Sequence, residues 1–237
     1  MAAASGFEPP ESGSPLKQLA ILVLDRSGSM VDDEPATPGL KKFEAVRRDV
    51  LDPAEGQGFI ARLKGSTVTS GLYVAMIFFD DRVEAQLQPT PVSQIDPATL
   101  SPDNFTPRGA TAIGDALEAA QAMAQQWLAE AQGAEIEFRC VGIFLMSDGE
   151  NNRGAAPIAV ADAIKTNAGT VPQLGGRPRI VIGTAAYGAD ADEATLRQIA
   201  SAPWREGQAE LFARVTSGAQ LRNFLVSSSL ALAQPRS

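Results

Sequence analysis

Four near-continuous apolar runs limit what this chain can fold into: Leu19–Leu24, Leu72–Phe79, Phe138–Met146 and Arg179–Ala186. Short apolar runs bounded by turn residues read as buried strands. The stretches between them carry helical spacing instead. Phe43, Val46 and Val50 share one face of a helix over Leu40–Leu51, and a short helical piece follows around Gly58–Leu63. Ile113, Leu117, Ala120, Ala124 and Leu128 form the apolar stripe of a long helix reaching about Ala131. Further helices are predicted over Ala155–Thr166, with Pro157 in the first turn, over Asp192–Ser201, and after a capping Ser217, with Leu221, Phe224 and Leu225 inward. Asp80-Asp81 reads as a turn, Val83–Leu87 alternates like a half-exposed edge strand, and Glu210–Ala213 is a further short strand. Strands alternating with helices predict an α/β fold, three-layer and doubly wound (Rossmann-like), with a mostly parallel sheet and one antiparallel edge strand.

At 237 residues the chain suits a single domain over 16–237, preceded by a disordered lead-in, residues 1–15, rich in Gly, Pro, Ser and Glu. The net charge of −8, without a basic run, speaks against a nucleic-acid partner and for a cation or a basic protein surface. No run approaches the ~20 apolar residues of a membrane helix. The start lacks a basic segment followed by an apolar one, so no secretory signal is expected. Cys140 is the one cysteine, inside an apolar run, where core packing is a better reading than nucleophilic chemistry. A single cysteine fits a reducing, cytoplasmic setting. Histidine is absent, which removes Ser-His-Asp and Cys-His catalysis and histidine-bound zinc.

Three segments then carry oxygen atoms to the ends of these elements. Asp25-Arg26-Ser27-Gly28-Ser29 follows the first strand, Gly109-Ala110-Thr111 opens the long helix, and Ser147-Asp148-Gly149 ends the Phe138–Met146 strand. In doubly wound sheets ligands bind at the carboxyl ends of strands, and oxygen donors suit hard cations. A lone Asp-x-Ser-x-Ser is also what a capped turn looks like; three such segments on these elements favour a shared metal site.

In this order the motifs resemble the metal-ion-dependent adhesion site (MIDAS) of the von Willebrand factor type A family, over about Leu16 to Leu232. The resemblance implies that Ser27, Ser29 and Thr111 bind the metal through their hydroxyls. Asp25 and Asp148 act through water or hydrogen bonds, and an open position takes a partner's Asp or Glu. It implies Mg²⁺, with Mn²⁺ or Ca²⁺ as alternatives, and a protein partner. Asp115 and Ser147 are candidates to support the site from behind. Asp32, Asp33, Glu34, Glu150 and Asn151 are candidates for a partner-facing rim, with solvated loop as the plainer reading. The acidic insert Val31–Gly39 and the Pro-rich loop Gln88–Arg108 would frame the site. Trp127 and Trp204 read as packing residues or, on the surface, interface anchors. Residues Ile182–Ala200 are similar to intracellular bacterial members associated with tellurium resistance and stress response. The rival functions are a Mg²⁺-dependent phosphatase or hydrolase and a scaffold with a structural metal.

Overall fold

A computed structural model describes residues 16–54, 57–66, 71–100, 102–130, 138–172, 175–203 and 210–233. The expected lead-in, residues 1–15, and Trp204 lie outside the described residues. The strands are β1 (Leu16–Asp25), β2 (Leu72–Phe79), β3 (Val83–Pro91), β4 (Phe138–Ser147), β5 (Thr170–Val171), β6 (Arg177–Pro178), β7 (Ile180–Tyr187) and β8 (Phe212–Val215). The helices are α1 (Lys42–Val46, continued by a π-helical turn, Arg47–Leu51), α2 (Phe59–Lys64), α3 (Ile113–Ala129), α4 (Pro157–Asn167), α5 (Glu193–Ile199) and α6 (Gly218–Ala233). Among the described residues no helix is long and apolar enough to cross a membrane.

One sheet runs β3-β2-β1-β4-β7-β8, and β5 pairs with β6 in a separate ribbon. Every neighbouring pair of the large sheet is parallel except β2 with β3. Strand side chains alternate between faces, and here both faces are covered. Leu22 and Leu24 join Val74, Met76 and Phe78 in a core shared with Val46, Leu63, Leu221 and Leu225. Leu19, Ile21 and Val23 join Ala75, Ile77 and Phe79 in a second core with Leu117, Ala161, Leu196 and Ile199. That double burial is why the strands are apolar throughout.

Two expectations shift. The Pro-rich stretch is less of a loop: β3 extends to Pro91, and Val92, Ile95, Leu100 and Phe105 are buried. Phe105 packs edge-on against Phe78 at 5.0 Å. At the end of α3, Trp127 is buried while Leu128 is only partly so; the indole packs edge-on against Tyr73 at 5.5 Å. Cys140 is buried, and burial pushes its thiol up, away from reactive thiolate.

Chain direction places the site. β1 connects outward to β2 on one side, while β4 leads to β7 and β8 on the other. The order reverses between β1 and β4, so a crevice opens at their carboxyl ends.

Candidate metal centre

Asp25 is the last residue of β1 and Ser147 the last of β4, on neighbouring strands. Ser147 Oγ donates to Asp25 Oδ2 at 2.5 Å, and the Ser27 amide donates to Asp25 Oδ1 at 2.7 Å. With both carboxylate oxygens held, the chain turns so that Ser27 and Ser29 present hydroxyls 3.1 Å apart. Ser29 Oγ donates to Asp148 Oδ1 at 2.7 Å. Thr111 arrives from the opening of α3. A β-carbon added to Gly149 would sit 3.4 Å from Ser29 Oγ and 3.7 Å from Thr111 Oγ1. The missing side chain keeps the space between those hydroxyls open. The structure thus brings Asp25, Ser27, Ser29, Thr111 and Asp148 into one cluster.

Backbone contacts lock the three segments. The Gly28 amide donates to Gly109 O at 3.1 Å, and the Arg108 amide to Arg26 O at 2.9 Å. Thr111 and Asn152 pair reciprocally, amide to Oδ1 at 2.9 Å and amide to carbonyl at 3.1 Å. Asn151, expected on the rim, instead turns inward: its Oδ1 accepts from the Ile113 amide at 2.8 Å. Ala112, at the α3 N-cap, has no side-chain acceptor, so Asn151 caps the helix from another segment. Asn151→Ala is expected to cost about 1 kcal/mol, the usual value of a cap, in denaturant unfolding; a change of only a few tenths would remove the cap from the account. Asp115 Oδ1 accepts from the Ala155 amide at 2.7 Å, tying α3 to the segment after Asp148.

The electrostatics are unbalanced. Asp25 and Asp148 are both buried. Burial, and then the Asp148 charge, push the Asp25 carboxyl up to about 7, against the pull of hydrogen bonds from Ser147 and Ser27. One cation inside the cluster answers part of the charge, and sequence reasoning missed it. Lys42 Nζ donates to Asp148 Oδ2 at 2.7 Å, with the side chain 2% exposed. Its position was readable, because Lys42, Ala45, Val46, Asp49 and Val50 are all buried on α1 and its π turn. That is a helical stripe with the lysine on it.

A second charged cluster lies beside the first. Asp80, expected to be a simple turn residue, does form the turn, accepting from the Arg82 amide at 2.9 Å. It is also fully buried, and its Oδ2 accepts from Arg26 Nε and Arg108 Nε, each at 2.8 Å. Both arginines also pair with Glu84. Burial pushes Asp80 up, but hydrogen bonds led by Arg108, together with the Arg26 charge, hold it below its ordinary value.

Around the mouth, Asp32, Asp33 and Glu150 are exposed, and Asp33 pairs with Lys41 at 2.7 Å. Glu34 is a correction to the expected rim. It is 1% exposed. Its Oε1 accepts from Tyr187 Oη at 3.0 Å and from the Gly218 amide, at the start of α6, at 2.6 Å. Proline at position 35 and the backbone bridge between Asp33 and Lys41 turn the insert so that Glu34 faces inward.

The residues present fit a hard divalent cation. The donors are three hydroxyls and two carboxylates, both carboxylates being buried. Among the described residues no group of three or more His, Cys, Asp or Glu side chains is placed to hold a metal, so hydroxyls must make up most of any donor set here.

A family model for the von Willebrand factor type A domain matches residues 21–225. No curated protein matches the chain. Solved structures do. Proximal thread matrix protein 1 from the mussel byssus, with a zinc-occupied MIDAS motif, is 20% identical and has a TM-score of 0.59, over 93% of this chain and 47% of that one. A von Willebrand factor type A protein from Catenulispora acidiphila is 19% identical, TM-score 0.60, over 92% of this chain and 43% of that one. The pilus adhesin SpaC from Lactobacillus rhamnosus GG is 13% identical, TM-score 0.63, over 93% of this chain and 31% of that one. The chain therefore spans less than half the length of these proteins, and at such identities the likeness is one of fold. With the family model covering residues 21–225, the chain belongs to the von Willebrand factor type A domain family.

Proposed function

We propose that this domain is a protein-binding module that works through a divalent cation, Mg²⁺ by preference, at the Asp25–Ser27–Ser29–Thr111–Asp148 cluster. The observation that carries the reading is the gathering of the Ser27 and Ser29 hydroxyls beside the buried carboxylates of Asp25 and Asp148, with Thr111 Oγ1 facing the same space at Gly149. Ser27, Ser29 and Thr111 offer neutral oxygens, while Asp25 and Asp148 accept hydrogen bonds that aim their neighbours. A cation held mainly by neutral donors keeps most of its charge and supplies a position for a partner's Asp or Glu. Asp32, Asp33 and Glu150, exposed at the mouth, favour basic residues flanking that carboxylate. A cytoplasmic setting is supported by the single buried cysteine. A stress-response or tellurium-resistance context is supported by the likeness of residues 182–200.

Calorimetry with Mg²⁺ and Mn²⁺ tests the centre. One site is expected, weakened roughly 10–100-fold or more by Asp25→Ala or Thr111→Ala, given what even supporting residues contribute to metal sites. Unchanged binding in both variants would sink the proposal. Capture of partners from cells with Mg²⁺ and with chelator, side by side, tests the recognition step.

A further inference from the structure

Lys42 does more than fill a gap. Its ammonium lies 2.7 Å from Asp148 Oδ2, while the other oxygen of Asp148 already accepts from Ser29 at 2.7 Å. The carboxylate is therefore engaged on both sides by this chain's own groups. The lysine is built into place. Its amide donates to Asp32 O at 2.9 Å, and the Asp32 carboxylate lies 4.0 Å from Nζ. Gly188, with φ of +96°, makes room for the stem: a β-carbon there would lie 3.2 Å from Lys42 Cε, 3.5 Å from Nζ and 3.9 Å from Pro35 Cγ. The acidic insert and the end of β7 thus form a sleeve around one ammonium.

We propose that Lys42 is the resident cation of this centre: its fixed charge satisfies Asp148 in the metal-free protein and opposes entry of a divalent ion, so that Lys42 sets the affinity of the site. This rests on the metal-binding reading above. Two consequences separate it from a purely structural ion pair. The metal-free domain keeps an assembled site, because Asp148 never stands uncompensated. The same charge, so close to the carboxylate a metal would approach, must be overcome or moved aside at binding, which weakens the metal. A structural ion pair that only holds Asp148 in position would act the other way, strengthening metal binding.

The test is Mn²⁺ calorimetry and thermal unfolding in chelator, on the wild type, Lys42→Met and Lys42→Gln. Both variants remove the charge, and Gln keeps a donor of similar reach. The expected result is Mn²⁺ binding tighter by roughly tenfold or more, from the Coulomb energy of a nearby unit charge, with a lower melting temperature in chelator that saturating Mn²⁺ restores. A wild type silent to Mn²⁺ beside a variant that binds it would support the opposing role of Lys42 and overturn the proposal that the wild-type domain works through a bound cation. Folded variants that bind Mn²⁺ as weakly as the wild type, or more weakly, overturn the inference and leave the metal site standing. No binding by any of the three proteins overturns both.

Discussion

Asp80→Ala is expected to cost about 3–5 kcal/mol of folding stability, the range for breaking a buried ion pair from one side. The loss falls chiefly on Arg26. Its side chain is 3% exposed, and Asp80 is its fully buried partner. Glu84, its remaining carboxylate, is 40% exposed and hydrated. Arg108 is 47% exposed and can turn to water, so its share is small. The effect should reach the metal centre as well. Arg26 sits inside the Asp25–Ser29 segment, and the backbone of Arg108 and Gly109 is bonded to that segment. Urea unfolding reads the stability, and calorimetry reads the metal. A loss under about 1 kcal/mol, the worth of an exposed pair, would mean that Glu84 and water satisfy Arg26 unaided. Because the folded Asp80 carboxyl lies below its ordinary 3.8, its contribution is present above that pH and disappears as the solution is acidified further.

Asp25 behaves in the opposite sense, and its effect is as large. Its carboxyl is raised from 3.8 to about 7 in the metal-free protein. Between those values the folded chain holds a proton that the unfolded chain has lost, so this group's contribution to stability falls as pH rises through that window and is level above it. In chelator, Asp25→Asn should therefore gain on the wild type by roughly a few kcal/mol between about pH 4 and pH 7. Metal binding reverses the preference, because a cation favours the carboxylate. Apparent Mg²⁺ affinity should climb by up to about tenfold per pH unit below pH 7 and flatten above it. Calorimetry in two buffers of different ionisation enthalpy should count close to one proton released per ion at pH 6. A flat affinity from pH 5 to 8 would show that Asp25 is ionised before the metal arrives.

Much of this was readable in the chain, for a physical reason. Strands buried on both faces leave an unbroken apolar record, and β2 occupies Leu72–Phe79, the same residues as the apolar run. Asp25, Ser27 and Ser29 were legible because their spacing is local, and Thr111 and Asp148 because each stands at the end of a recognisable element. The misses all depend on partners distant in sequence. Lys42 meets Asp148 across 106 positions. Glu34 meets Gly218 across 184. Asp80 meets Arg26 across 54. Glu34 read as rim or solvated loop, Asp80 read as a turn, and Lys42 drew no reading, because a buried charge is placed only by knowing its partner. Lys42 and Arg26 gave the fainter local signs, one on an inward helical stripe and one between buried motif residues. Asn151 gave none, because the helix it caps begins 38 positions earlier.

The anchoring of Glu34 has a consequence for how this domain can diversify. The Glu34 amide donates to Leu40 O at 2.7 Å, closing the base of a loop in which residues 35–39 are exposed. Below that base the loop is held by the buried Glu34 contacts to Tyr187 and Gly218 and by the bridge and ion pair between Asp33 and Lys41. Lengthening the exposed tip is thermodynamically mild, about 0.6 kcal/mol for each doubling of loop length, and exposed tips are where insertions succeed. Thr37–Gly39 is therefore a grafting port. A foreign peptide or reporter placed there would ride on the same short insert that carries Asp32 and leads into Lys42 at the start of α1, with the sheet and the hydroxyl cluster left as they are. Lineages sharing this scaffold could change what they recognise by rewriting a handful of residues at one loop.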